Sequence, residues 1–236
     1  MFVGMLFTVI VSLVIGFFSL LAAFNSYYAN PKRATQAVTG FGLFWAGMAG
    51  TWFATASLDL FWYLGYPSFA ITSTYVLQTF VGVSLVAAAY FFSVYLLSRR
   101  ARIPALVIYG FWYIAFLSSL FWYRVVPQPD SFFVGQILTA NETIMLFMGA
   151  FLPLWTSAFI LFAQSIRKGR RVHDGSHVFP LFASLAFILV GLGGSVDEIG
   201  IVYGWMVTAA RLVTLIASIV AFTASSTLRE PDEMVI

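Results

Sequence analysis

Charged residues are scarce in this chain, and cysteine is absent. Lys, Arg, Asp and Glu together make up 9% of the 236 residues, whereas about 25% is usual in soluble globular proteins. The hydrophobic fraction is 61% and the mean hydropathy is +0.93, so lipid is the expected solvent. The absence of cysteine excludes disulfides, thiolate catalysis and cysteine-ligated zinc or iron–sulfur sites.

Lysine and histidine are missing from the long apolar runs. The two lysines, Lys32 and Lys168, lie in basic segments between those runs, and a retinal protein needs a membrane-buried lysine for its Schiff base. Both histidines, His173 and His177, follow the fifth run. Retinal chemistry, bis-histidine haem and histidine-based hydrolysis within the membrane are therefore excluded. We expect a protein that is not an enzyme and that holds no cofactor or metal ion.

Seven apolar runs predict an all-α bundle of seven transmembrane helices. Each run is long enough to cross the hydrocarbon core of a bilayer, and the loops are too short for a soluble domain. We expect one transmembrane domain, residues 1–226, and a short polar tail, residues 227–236. The first run lacks the basic start and short apolar core of a cleaved signal peptide, so it is counted as a span. The runs cover residues 2–26, 38–63, 69–97, 103–123, 138–166, 178–197 and 201–225.

The basic residues predict the orientation of the bundle. Nine of the twelve lie in alternate loops at one end, whereas carboxylates predominate at the other. By the positive-inside rule, the amino terminus is outside and the carboxyl-terminal tail is cytoplasmic. The expected location is a plasma membrane of the prokaryotic kind, with the lipid bilayer as partner and no nucleic-acid partner. The nine residues are Lys32, Arg33, Arg99, Arg100, Arg102, Arg167, Lys168, Arg170 and Arg171.

Arg211 is the most unusual residue of the seventh run. It lies seven to ten residues inside that run, roughly 10–15 Å from its outer end, and an unpaired charge at that depth costs several kcal/mol. Glu142 at the start of the fifth run and Asp197 at the end of the sixth lie at comparable reach and are its expected partners. The cluster is either a ligand-binding or gating charge, or a salt bridge that fixes helix rotation.

Two further polar residues belong to the candidate ligand-binding or gating set. Asp59 lies near the outer end of the second run, where an aspartate is usually solvated. Gln78 lies about ten residues into the third run, near the midplane, where a lone glutamine either bonds another helix or contacts a substrate. The cytoplasmic half has no acidic relay, which counts against a continuous ion pathway.

A shift of 138 positions lays the second run over the sixth without a gap. Residues 24–59 and 162–197 are then identical at seven of 36 positions. This predicts two parallel halves, spans one to three and five to seven, joined by span four, which is a known transporter plan. The layout resembles that of the SWEET sugar transporters and implies transport of a small solute, although the first two runs lack the prolines of SWEET helices. The identical pairs are Phe24/Phe162, Arg33/Arg171, Phe41/Phe179, Leu43/Leu181, Phe44/Phe182, Ser57/Ser195 and Asp59/Asp197.

Three functions remain open at the level of sequence. The first is a receptor-like or sensor-like bundle, similar in layout to rhodopsins and other seven-helix receptors, whose outer cluster binds a ligand and which acts through a cytoplasmic signalling partner. The second is a small-solute transporter, which needs polar lining on both sides of the midplane. The third is a structural subunit of a larger membrane complex with other membrane subunits. Because the charges concentrate on the outer side, we predict the first.

Overall fold

Seven α-helices and one short β-hairpin form the described structure. The computed structural model describes residues 2–28, 36–123, 126–128, 136–138, 141–171, 175–199 and 204–228. The helices are α1 (Phe2–Tyr28), α2 (Gln36–Tyr63), α3 (Pro67–Leu96), α4 (Arg99–Tyr123), α5 (Asn141–Arg171), α6 (Val178–Ile199) and α7 (Gly204–Ser226). The strands are β1 (Val126–Gln128) and β2 (Gln136–Leu138).

The predicted helical class is confirmed, and five helices are long and apolar enough to cross a membrane. They are α1, α3, α4, α5 and α7, judged over their described side chains. The described side chains of α6 form a shorter apolar helix, Val178–Gly194. α2 is 28 residues long, but its glycine, threonine and tryptophan residues make it less apolar. Such a bundle is compatible with a polytopic membrane protein.

The helices extend further into the basic segments than the hydropathy predicts. α4 begins at Arg99 and α5 continues to Arg171, so Lys168 lies on a helix and not in a loop. It remains exposed in the last turn of α5, where cations interact favourably with the helix dipole. We call the end of the bundle that carries residues 99–102 and 167–171 the basic end.

Arg102 closes the turn between α3 and α4 at this basic end. Its guanidinium donates to the carbonyl oxygen of Val94 at 2.9 Å and to that of Leu97 at 3.3 Å. A third bond reaches Oε1 of Gln36 at 3.2 Å, at the start of α2. These contacts satisfy carbonyls that the end of α3 leaves without helical partners.

Six helices close a ring, and α4 lies outside it. Among the described residues, contacts join α1 to α2, α2 to α3, α3 to α5, α5 to α6, α6 to α7 and α7 to α1, and those between α3 and α5 are the fewest. α4 packs against α3 and α5. Tyr109 and Trp112 of α4 donate to carbonyl oxygens of α5 at 3.0 and 2.7 Å. The outer face of α4 exposes large apolar side chains such as Phe111 and Trp122, as a lipid-facing helix does.

Glycines bring helices close together at two seams of the ring. A Cβ atom at Gly40 of α2 would lie 2.9 Å from the backbone nitrogen of Phe91 in α3. One at Gly193 of α6 would lie 2.7 Å from the carbonyl oxygen of Ala210 in α7. Close backbone packing of this kind holds helices together in lipid, where apolar helices gain little from leaving the solvent.

The hairpin between α4 and α5 was not predicted from the sequence. β1 and β2 pair antiparallel, with Val126 opposite Leu138 and Gln128 opposite Gln136. β1 also contacts α3. Three-residue strands carry too little alternation of polar and apolar residues to be recognised between two long apolar runs.

Candidate functional site

Arg211 forms a buried ion pair with Asp59. Its Nη1 donates to Oδ2 of the aspartate at 2.9 Å, and the two side chains are 4% and 0% exposed. The same nitrogen lies 3.4 Å from Oγ of Ser12. The pair therefore joins α7 to α2 and reaches α1. Two opposite charges can be buried together inside a bundle when they are in direct contact, because each stabilises the other after both have lost their water.

This partner differs from those expected for Arg211. Glu142 is exposed at the start of α5, and the described ion pair of Arg211 is with Asp59. The side chain of Asp197 lies outside the described residues, so its pairing with Arg211 stays a prediction. Asp59 was expected to be solvated, but it lies one turn before the end of α2 with its side chain turned into the bundle and fully buried.

A cavity of about 130 Å³ lies in the middle of the ring beside this pair. Its wall follows α2 from Phe44 to Leu58 and α3 from Leu77 to Phe92, a length of about 20 Å at 1.5 Å per residue. α5 and α6 add aromatic and aliphatic side chains and two glycines, and α7 adds Arg211. A largely apolar wall with a few polar groups is typical of small-molecule sites.

Hydroxyl groups in the cavity wall bond to their own helices. Thr51 donates to the carbonyl oxygen of Gly47 at 3.1 Å, and Thr55 donates to that of Thr51 at 2.9 Å. Ser84 of α3 donates in the same way to Phe80 at 2.8 Å. These hydroxyl protons are engaged, so the oxygen atoms retain only acceptor capacity.

Trp52 belongs to the same wall. Its side chain is buried, with 4% of the residue exposed. Its Nε1 is buried too and has no hydrogen-bond partner within the described part of the chain. Buried indole nitrogens usually have a partner, so this N–H departs from the usual pattern.

Aromatic rings close the cavity towards the basic end. The ring centroid of Phe187 in α6 lies 4.3 Å from that of Phe44 and 4.8 Å from that of Phe92. A further layer places Phe41 of α2 edge-to-face with Phe179 of α6 at 5.3 Å. Phe41 and Phe179 are equivalent positions of the predicted repeat. The layer between the cavity and the basic end is thus built of phenylalanine rings.

The structure places the predicted site residues in different surroundings. Arg211 lines the cavity and holds Asp59 beside it, whereas Glu142 is exposed. Gln78 is buried in α3 with 1% exposure, but its neighbour Leu77, and not Gln78 itself, lines the cavity. Sequence reasoning did not select Trp52. The lining positions on α2 do recur at helical spacing, but so do ordinary core positions.

The described ranges contain no group of three His, Asp or Glu side chains placed to hold a metal ion. No protein-family model matches this chain, and no curated protein matches it in sequence.

Proposed function

We propose that this chain is a non-catalytic polytopic membrane protein of seven spans with receptor-like or sensor-like organisation. It binds a small ligand in the central cavity and acts through a partner. The observation that carries the proposal is the aromatic cavity that ends at the buried charge of Arg211. In this proposal the amino terminus is outside and the basic end is cytoplasmic, as the positive-inside rule requires.

The position of Arg211 supports a sensing role. It belongs to the cavity wall, and its Nη1 also contacts Asp59 of α2 and Ser12 of α1. A ligand that favours one position of this guanidinium favours one arrangement of α1, α2 and α7. A ligand shifts such an equilibrium by the difference in its affinity for the two arrangements, and contact with Arg211 is a source of that difference.

The phenylalanine layer favours a receptor over a transporter. A transported solute needs polar groups on both sides of the midplane. Between the cavity and the basic end, the ring of Phe187 contacts the rings of Phe44 and Phe92. Opening a path there requires these rings to separate, whereas ligand binding in the cavity does not.

A cavity-filling substitution tests the proposal. Gly194 lines the cavity, and a Cβ atom there would meet no atom within 4 Å, so this position accepts a side chain, and we expect the ring of Gly194→Phe to occupy cavity space. Gly149 of α5 is exposed, has the same open surroundings and does not line the cavity. Gly149→Phe is therefore the matched control.

The measurement is the thermal stability of the three proteins in lipid nanodiscs against a library of small molecules. A true ligand at 100 times its Kd adds about 2.7 kcal/mol to the free energy of unfolding. We expect ligands that stabilise the wild type and Gly149→Phe but not Gly194→Phe. Compounds that stabilise all three equally bind elsewhere and contradict the proposal. Uptake of a ligand into proteoliposomes would establish a transporter. A stable protein partner, found when no ligand binds, would establish a structural subunit.

A further inference from the structure

We infer that the ligand of the cavity is a neutral, apolar molecule of about one ring. We call this the toluene class, meaning a single ring that carries no ionised and no hydrogen-bonding group. The inference rests on the proposed function, because it names the ligand of the same site. Three properties of the cavity lead to it: its size, its net charge and the state of the polar groups in its wall.

The size of the cavity selects a molecule of about one ring. Its volume is about 130 Å³, and an apolar protein cavity of about 150 Å³ holds one benzene molecule. The wall is mostly aliphatic and aromatic, and Phe147, Phe151 and Phe187 are among its rings. A second fused ring would have to displace such packed side chains, which is destabilising.

The charge of the cavity selects a neutral molecule. Arg211 is the only ionisable residue in the described part of the wall, and Asp59 lies 2.9 Å from its Nη1. The two charges cancel, and both side chains are buried. A carboxylate or an ammonium group of a ligand would add an ion that no further charge of the described wall balances. Desolvation of such an ion is costly inside a bundle, so neither acids nor amines fit.

The hydroxyl groups of the wall have no proton left for a ligand. Thr51, Thr55 and Ser84 each donate to a carbonyl oxygen of their own helix, at 3.1, 2.9 and 2.8 Å. Each hydroxyl has only one proton to donate. A ligand with an acceptor group therefore finds no hydroxyl donor in the described wall.

The two indole N–H groups of the wall do not serve a ligand either. Trp155 donates its Nε1 proton to the carbonyl oxygen of Ile188 at 3.1 Å. The Nε1 of Trp52 is buried and exposes almost no surface, so a molecule in the cavity does not reach it. A polar group that leaves water without finding a partner lowers affinity, and the wall thus favours an apolar ligand.

Toluene, phenol, benzoate and naphthalene are the probes that separate these properties. Toluene and phenol have nearly the same shape and differ in the hydroxyl group. Equilibrium dialysis measures their affinities for the full-length protein in nanodiscs, with Gly194→Phe as the blank for partition into lipid. We expect toluene to bind at least about tenfold more tightly than phenol, because phenol gives up hydrogen bonds with water. Benzoate and naphthalene binding should equal the blank.

Two further variants serve as controls. Gly149→Phe, which does not line the cavity, should bind toluene as the wild type does. Thr55→Val removes a hydroxyl that is bonded to its own helix, so it should leave the ratio of toluene to phenol affinity unchanged. If Gly194→Phe does not fold, the wild type alone separates the site from lipid. Binding to the site saturates and is displaced by unlabelled toluene, whereas partition into lipid does neither.

The outcomes distinguish this inference from the proposed function. Phenol binding as tight as toluene binding, or phenol binding that weakens in Thr55→Val, overturns the apolar class and leaves a ligand site in the cavity. Tight benzoate binding overturns the neutral class, and tight naphthalene binding overturns the size. If no probe exceeds the blank, the inference is overturned, and the library screen of the three proteins decides the proposed function separately.

Discussion

Arg211 and Asp59 meet across the bundle, with Nη1 and Oδ2 2.9 Å apart although 152 positions separate them in the chain. Asp59 lies four residues before the end of α2, and Arg211 lies seven residues after the start of α7. The two helices reach the same level because α2 ends where α7 begins. The contact joins α2 to α7, the two helices that lie on either side of α1 in the ring.

Removing one member of this pair should be worse than removing both. Arg211→Met leaves the Asp59 carboxylate buried without the arginine, and we expect a loss of about 3–5 kcal/mol in the free energy of unfolding. The double variant Arg211→Met/Asp59→Leu should recover most of that loss, because no charge remains buried. Denaturant unfolding in detergent measures both. Losses that simply add in the double variant would show that the two charges are not coupled.

Ser12 should contribute much less than Asp59. The distance from Arg211 Nη1 to Ser12 Oγ is 3.4 Å, near the limit of a hydrogen bond. We expect Ser12→Ala to lower the free energy of unfolding by less than about 1 kcal/mol, measured under the same conditions. A loss as large as that of Arg211→Met would mean that the serine is an essential part of the pair.

Neighbouring glycines of α6 should respond in opposite ways to the same substitution. A Cβ atom at Gly193 would lie 2.7 Å from the carbonyl oxygen of Ala210, whereas one at Gly194 would meet nothing within 4 Å. Gly193→Ala forces α6 and α7 apart, and we expect a loss of about 1–3 kcal/mol. Gly194→Ala should be neutral or stabilise by up to about 1 kcal/mol, because alanine favours helix. Equal effects would contradict the close approach at this seam.

Two tryptophans of α4 should differ in their contribution to stability. Trp112 donates to the carbonyl oxygen of Leu146 at 2.7 Å, while Trp122 is 83% exposed. Hydrogen bonds between membrane helices average about 0.6 kcal/mol, so Trp112→Phe should lose about that much and Trp122→Phe close to nothing. Thermal unfolding measures both losses, and crosslinking between α4 and α5 monitors their contact. A larger loss for Trp122→Phe would point to a partner on the outer face of α4.

The absence of cysteine makes the orientation easy to test. Glu142 and Lys168 are both exposed and lie at opposite ends of α5, so Glu142→Cys and Lys168→Cys each introduce the only thiol of the chain. A membrane-impermeant maleimide should label Glu142→Cys in intact cells and Lys168→Cys only after permeabilisation. The reverse pattern would place the basic end outside.

Hydropathy located the helices because long apolar runs are a property of single segments. It placed helix ends less well, since the arginine and lysine residues of 99–102 and 167–171 are charged and yet good helix formers. Hydropathy could not identify the partner of Arg211, because the pattern of one helix does not say which other helices lie near it. The cavity was equally hidden. Phe44, Met48 and Thr55 would follow the same spacing on α2 if they packed against another helix.

α4 lies outside the six-helix ring, and no described residue of the cavity wall belongs to it. It affects the site through the direction in which the following helices run. In the proposed seven-span topology, three crossings leave the chain on the far side of the membrane, and α4 is the crossing that returns it, so that α5, α6 and α7 run in the same sense as α1, α2 and α3. Without that return, α7 would enter the bilayer from the opposite surface, and its arginine would lie at the wrong depth for Asp59.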